Sequence, residues 1–205
     1  MNTLLHPTYF PSISHFVALT QAKQLVFETE DNFQKQTNRN RAYIYSPNGI
    51  QLLNIPIKHA KLGPQKTKDI QIDTDFDWQK QHFKSLEAAY RNAPFFEYFE
   101  DDLRMIFEKK HRFLLDLNYQ TLDFMACSLR QKIAYDTTTA YQHEVDSGLF
   151  IDHRHLVNGK KDTSCFAAYK QVFDDKHGFI NNLSILDLLF NEGKFTIDYL
   201  QEQSL

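Results

Sequence analysis

Two stretches in the first fifth of the chain carry side chains suited to chemistry. His6 directly follows two leucines, and because an unperturbed histidine titrates near neutral pH, it is a candidate general base or proton donor. The run Asn38-Arg39-Asn40-Arg41 alternates amides with guanidinium groups. Guanidinium forks match the oxygens of a carboxylate or phosphate, and amides add further donors. This run therefore predicts an anion site, in which strand geometry would place Arg39 and Arg41 on one face.

The surrounding charge pattern supports an anion site but leaves a plainer explanation open. Residues 32–68 contain seven lysines and arginines and no acidic residue, although the whole chain has a formal charge of −3. A local basic field attracts anions, but lysines also protect solvated strand edges. Nucleic acid is not expected as a partner, because the chain is acidic overall and residues 69–77 add four aspartates. RNA binding would require Tyr43 and Tyr45 to be exposed beside the lysines.

A second catalytic candidate lies on a helix predicted to begin near Asp77. Trp78 and His82 are four residues apart, so they lie next to each other on one helix face. His82 could supply a second polar contact to a ligand, and Trp78 could supply a stacking wall. The alternative is that His82 is a hydrogen-bonded histidine of the packed core.

A metal site is the remaining chemical alternative. The run Asp152-His153-Arg154-His155 contains side chains that bind metals, but no second ligand pair accompanies it, so we expect neither a metal nor a cofactor. The two cysteines, Cys127 and Cys165, are too few for a disulfide framework. Neither a signal peptide nor an apolar run long enough to span a membrane is present in the sequence, so a cytoplasmic protein is expected.

The apolar patterning predicts a single α/β domain over residues 1–205, with a mixed sheet and helices packed on it. The predicted strands are 3–9, 25–27, a hairpin joining 42–45 to 51–57, and a short strand at 70–72. The hairpin is indicated by Asn48-Gly49, because this pair favours a tight antiparallel turn. The predicted helices are 13–19, 77–92, 95–109, 115–133 and 183–190, the last ended by Gly193. Residues 136–165 are irregular and predict a long ordered loop with one or two short strands.

Five blocks of the sequence, in this order, resemble the WbqC-like protein family of bacteria. They are His6-Pro7-Thr8-Tyr9-Phe10-Pro11, Asn38-Arg39-Asn40-Arg41, Ser46-Pro47-Asn48-Gly49 with 53–58, Trp78-Gln79-Lys80-Gln81-His82 with 89–96, and residues 182–193. Each block alone is weakly specific, but together they span nearly the whole chain. The chain is similar to the shorter form of the family associated with Bacteroidetes. Longer members carry a Ser-Gly-x-Gly-Gly-like loop before the final helix, in the region where residues 136–165 stand here.

The resemblance implies a transferase that acts on a small anionic precursor, phosphate- or nucleotide-linked, in the synthesis of O-antigen or another surface polysaccharide. In this hypothesis Arg39 and Arg41 clamp the anion while Asn38 and Asn40 orient it. The alternative is a non-catalytic ligand-binding or assembly protein of the same fold, which the loss of the glycine-rich loop favours.

The remaining roles follow from the same hypothesis. His6 and His82 are the candidate catalytic residues, and Tyr90 is a further candidate substrate contact. Asp187 could orient a donor, or it could simply lie at the surface. The enzyme hypothesis requires His6, Arg39, Arg41 and His82 to converge on one pocket. The sequence predicts no oligomeric state.

Overall fold

The computed structural model describes residues 1–58 and 63–205. The predicted α/β class is confirmed: a parallel sheet and an antiparallel hairpin pack with helices, in a single domain, around one continuous apolar core. Lys61, one of the seven basic residues of the 32–68 stretch, lies outside the described residues. Across the part of the chain that the structure describes, no helix is both long enough and apolar enough to cross a membrane.

The elements are numbered along the chain. The strands are β1 (Asn2–Leu5), β2 (Leu25–Phe27), β3 (Arg41–Ser46), β4 (Gly49–Asn54), β5 (Tyr135–Thr137) and β6 (Phe150–Asp152). The helices are α1 (Ile13–Thr20), α2 (Trp78–Tyr90), α3 (Phe96–Glu108), α4 (Leu114–Ser128), α5 (Asp174–His177), α6 (Ile185–Glu192) and α7 (Thr196–Glu202).

The parallel sheet has the strand order β5-β2-β1-β6, and each of its pairings is parallel. The central strands β1 and β2 are short and almost wholly buried; β2 is entirely apolar, and β1 ends in two leucines. Such burial is expected for parallel strands covered on both faces. The outer strands β5 and β6 come from the irregular 136–165 region. Because parallel strands end at one edge, the residues that follow the four strands meet there, and ligands commonly bind at such an edge.

The predicted hairpin is present, but it forms a separate sheet. β3 and β4 pair from Arg41 opposite Asn54 to Ser46 opposite Gly49. The outer edge of β3 is already occupied, because the backbone N–H of Ser184 donates to the carbonyl of Tyr43 over 2.8 Å. Within residues 1–58 and 63–205 the hairpin therefore joins no strand of the parallel sheet, and the expected mixed sheet is two sheets.

Two predicted elements are shorter than expected. β1 ends at Leu5 instead of residue 9, because the chain bends at Tyr9 and Phe10 and the backbone N–H of Tyr9 donates to the carbonyl of Asn38 over 3.0 Å. α4 ends at Ser128 instead of residue 133.

The stretch 70–72, predicted as a short strand, forms isolated bridges instead of a strand. Ile72 and Gln71 form single bridges, to Ile57 and Phe113 respectively. These bridges connect the chain after the hairpin to the start of α4, so the apolar 70–72 stretch serves as a core contact between two elements.

Candidate functional site

A cavity of about 410 Å³ lies on the outer face of the hairpin, and we call it the hairpin cavity. Its walls come from the chain before α1, from β3 and β4, from residues 159–162, and from the loop before α6. The lining residues are Phe10, Ser12, Asn38, Arg41, Ala42, Tyr43, Ile50, Gly159, Lys160, Asp162, Asn181, Asn182, Leu183 and Ser184. Two of the predicted anion-binding residues, Asn38 and Arg41, therefore share one cavity.

Three polar groups of the hairpin cavity have donors to spare. Asn38 is only 6% exposed, and its side-chain amide makes no hydrogen bond within the described residues. The guanidinium of Arg41 uses only Nε, which donates to Oδ1 of Asn54 over 3.2 Å. Neither Arg41 nor Lys160 forms an ion pair with a described carboxylate. These three groups line the cavity and keep donors free, so the arrangement is suited to receiving a ligand that accepts hydrogen bonds.

The carboxylate of Asp162 is held at the wall of the cavity. Its Oδ2 accepts hydrogen bonds from the hydroxyl of Ser14 and, over 2.7 Å, from Nδ2 of Asn182. Burial opposes ionisation of Asp162, but the bonds from Ser14, Ser164 and Asn182 outweigh it and lower the pKa of the carboxyl. With Asp162 ionised, the two cations of the cavity leave an excess of one positive charge.

Two helices begin at this cavity. Ser12 caps α1 by accepting a hydrogen bond from the backbone N–H of His15, and Ser184 caps α6 by accepting one from Leu186. Both caps line the hairpin cavity. Because the N-terminus of a helix carries partial positive charge, these two ends add to the potential that Arg41 and Lys160 create.

Arg39 has a different environment from Arg41. It is completely buried, and Nη2 lies 2.5 Å from Oδ2 of Asp31 and donates to Nε2 of His6 over 3.0 Å. Asp31 in turn accepts a bond of 2.6 Å from the hydroxyl of Thr67. The expected shared strand face is therefore not found, because Arg39 precedes β3 and points into the protein. Asn40 does not line the hairpin cavity either: its Nδ2 donates to the carbonyl of Ile55 over 2.9 Å, and it lines a separate cavity of about 440 Å³ that Arg41 also borders.

The contact with Arg39 fixes the protonation of His6. A guanidinium can only donate, so Nε2 of His6 is the acceptor and the neutral ring carries its proton on Nδ1. Burial, and then the charge of Arg39, lower the pKa of His6 well below its usual range, against a weaker opposing effect from the backbone of Glu28. A base role for His6 would require Nε2 to exchange its bond from Arg39 for one from a substrate.

His6 borders a second cavity, of about 330 Å³, at the carboxyl edge of the parallel sheet. We call it the sheet-edge cavity; its lining residues are His6, Asp31, Gln34, Tyr141, Asp152, Arg154, His155, Val157, Asn158 and Lys161. Here Arg154 donates from Nη2 to Oδ2 of Asp152 over 2.6 Å. The 152–155 run thus forms an arginine–carboxylate pair after β6. Within the described residues, no group of three His, Cys, Asp or Glu side chains is placed to hold a metal ion.

His82 and Trp78 lie in the core beneath the hairpin. Both are buried, their ring centroids are 5.2 Å apart, and Nδ1 of His82 lies 3.0 Å from the hydroxyl of Tyr9. Burial lowers the pKa of His82 to about 4. Neither residue lines the hairpin cavity or the sheet-edge cavity, and the geometry agrees with the core alternative for His82.

Tyr90 and Asp187 form a third, internal group. The hydroxyl of Tyr90 donates to Oδ1 of Asp187 over 2.9 Å, and Tyr169 and Gln171 donate to Oδ2 over 2.5 and 2.8 Å. Burial raises the pKa of Asp187, against the lowering effect of these three bonds. Asp187 therefore does not lie at the surface; it connects α2 and α6 to the 169–171 segment.

The four residues named for the enzyme hypothesis do not converge on one cavity. His6 and Arg39 are in contact, Arg41 lines the hairpin cavity, and His82 is packed in the core. Residues 157–162 connect the two cavities, because Asn158 and Lys161 line the sheet-edge cavity while 159, 160 and 162 line the hairpin cavity.

Lys160, Asp162 and Asp31 line the two cavities but were not predicted from the sequence. Lys160 and Asp162 stand in a stretch that was predicted only as loop, and their neighbours at the hairpin are about 120 residues away along the chain. Asp31 could have been predicted from one signal in the sequence. It is an acidic residue shortly after a predicted buried strand, and ligands commonly bind where parallel strands end.

Together these features define an α/β protein with two neighbouring ligand-sized cavities, one at the edge of a parallel sheet and one on a separate hairpin. The model of the WbqC-like protein family matches residues 6–161. The chain therefore belongs to the WbqC-like family, as its sequence blocks predicted. The matched range contains every predicted site residue except Asp187.

One curated relative covers nearly the whole chain. The uncharacterized protein Rv1507c of Mycobacterium tuberculosis (strain ATCC 25618 / H37Rv) is 26% identical over 226 residues, which cover 97% of this chain and 96% of that protein. No solved structure matches the chain.

Proposed function

We propose that the protein binds a small anionic ligand in the hairpin cavity. The observation that carries this proposal is the set of free donors: the side-chain amide of Asn38, which has no described hydrogen-bond partner, beside Arg41 and Lys160, neither of which forms an ion pair with a described carboxylate. Charged donors bind carboxylate or phosphate oxygens more strongly than neutral ones. Phosphate- or nucleotide-linked precursors of surface polysaccharides, which the family resemblance implies, are the first ligands to test.

A transfer reaction on this ligand is the second candidate function. A transferase must hold a donor and an acceptor next to each other, and residues 157–162 place the sheet-edge cavity beside the hairpin cavity. His6 borders that second cavity, so it is better placed for a catalytic role than His82. The non-catalytic alternative shares the anion site and differs only in lacking turnover. In both cases we propose a cytoplasmic location, because Cys127 and Cys165 are free and exposed.

Calorimetric titration of nucleotide sugars, sugar phosphates, nucleotides and simple organic phosphates tests the binding proposal. We expect Arg41→Gln and Lys160→Gln each to weaken binding roughly ten- to a hundredfold, since a hydrogen bond to a charged group contributes about 1.5–3 kcal/mol. Lys161→Gln is the matched control, because this neighbouring lysine lines the other cavity. Equal affinity in all three variants, or no binding by any compound, would contradict the proposal.

A mass-spectrometric assay separates the two candidates once a ligand is known. The protein is incubated with that ligand and a panel of second substrates, and group transfer is measured. Turnover that is lost in His6→Asn while the affinity of the first ligand persists supports the transferase. Binding without turnover for any pair supports the non-catalytic alternative.

A further inference from the structure

The walls of the hairpin cavity are mainly apolar. Phe10, Tyr43, Ile50 and Leu183 line it together with Ala42. Ile50 is 60% exposed at its position on β4, so its apolar surface is available to a ligand. A ligand body that removes this surface from water gains about 25 cal/mol for each Å² buried.

Most polar side chains of the cavity are already occupied by bonds within the protein. Both oxygens of Asp162 accept bonds from the protein, from Ser164 at Oδ1 and from Ser14 and Asn182 at Oδ2. Asn181 accepts from the backbone of Phe166 and donates to that of Ser164. Among the described lining residues, the free polar side-chain groups are therefore the three donors named above and the hydroxyl of Tyr43, and two of these four groups are cations. A sugar ring, whose several hydroxyls each need partners, finds few of them here.

The size of the cavity limits the ligand further. A volume of about 410 Å³ lies at the small end of ligand pockets, which span about 300–1,000 Å³. A phosphate or carboxylate with an aromatic ring or a short aliphatic chain fits within this space, whereas a complete nucleotide sugar would extend out of it into solvent.

We infer that the ligand of the hairpin cavity is an amphipathic anion: an aromatic or short aliphatic body against Tyr43 and Ile50, with an anionic head on Arg41 and Lys160. The inference rests on the proposed anion site and specifies its ligand class. The amide of Asn38 binds an oxygen of the head or of the link between head and body.

Three phosphates that differ only in their body test this inference by calorimetry. Phenyl phosphate has an apolar body, glucose 1-phosphate has a polar one, and inorganic phosphate has none. We expect phenyl phosphate to bind at least about tenfold more tightly than the other two. Ile50→Ser should weaken phenyl phosphate about three- to tenfold and leave inorganic phosphate unchanged.

Leu52→Ser is the matched control for Ile50→Ser. Leu52 lies two residues along β4, is 41% exposed, and does not line the cavity, so this change should leave all three affinities unaltered. If glucose 1-phosphate binds as tightly as phenyl phosphate and both depend on Arg41, the amphipathic class is wrong while the anion site stands. If none of the three binds in a manner that depends on Arg41, both proposals are wrong.

Discussion

The buried histidine of α2 gives a quantitative prediction for stability against pH. The pKa of His82 is about 4 in the folded protein because the ring is buried, and it is about 6.5 in an unfolded chain. Between these two pH values the unfolded chain binds a proton that the folded protein does not. His82 therefore leaves stability unchanged above pH 6.5 and reduces it progressively as the pH falls towards 4. At pH 5.0 the loss is one and a half pH units at about 1.36 kcal/mol each, or about 2 kcal/mol.

The change His82→Gln removes this titration. Urea unfolding followed by circular dichroism at pH 7.5 and pH 5.0 should show that the wild type loses about 2 kcal/mol more than the variant over this interval. The loss of the bond to Tyr9 lowers the stability of the variant at both pH values, so it cancels in the comparison. His143→Gln, at an exposed position, is the matched control. If the wild type and His82→Gln lose the same free energy, the ring is not held neutral by burial and the reasoning is refuted.

Two further substitutions test contacts that stabilise the fold. Asp31→Asn leaves Arg39 buried without its anion and should reduce the free energy of unfolding by about 3–5 kcal/mol. Glu30→Gln is the control: the lysine partners of Glu30 are exposed, so this change should barely alter the unfolding midpoint. Gly193→Ala should cost more than about 1 kcal/mol, because Gly193 has φ of 54° and an added Cβ would lie 2.6 Å from the ring of Phe95. Urea unfolding measures the stability of each variant. If Asp31→Asn or Gly193→Ala is as stable as the wild type, the contact that the substitution changes does not limit the stability of the fold.

The local sequence was sufficient to predict part of this fold. The 46–49 segment identified the hairpin, but the turn itself consists of Pro47 and Asn48, while Gly49 already pairs with Ser46. The Gly193 stop identified the end of α6. Both Gly49 and Gly193 have a positive φ, which few other residues adopt. The outer strands β5 and β6 could be anticipated only as one or two unspecified short strands. They are three residues each and partly exposed, so their position depends on parallel pairing with β2 and β1, far away along the chain.

The candidate site was less predictable than the fold, for the same reason. The Asn-Arg run predicted an anion site, and two of its residues, Asn38 and Arg41, line one cavity. Alternation on a strand did not apply, because residues 38–40 lie outside β3. The backbone N–H of Asn38 donates to Val157, and the side chain of Asn40 donates to Ile55. Contacts of this kind are decided by the tertiary fold. Asp187 is a second example, since its burial depends on two tyrosines and a glutamine that local sequence does not associate with it.

The two arginines of the run have consequently opposite roles, although they are two residues apart. A ligand oxyanion could reach Arg39 only by displacing Asp31, and an ionised Asp31 left buried without its partner would cost several kcal/mol. Arg41 has no such competitor, because its one bond is to the neutral amide of Asn54. Binding energy is therefore available at Arg41 and not at Arg39, which is why the affinity experiments above use Arg41→Gln. An Arg39 variant would report on folding before it reported on a ligand.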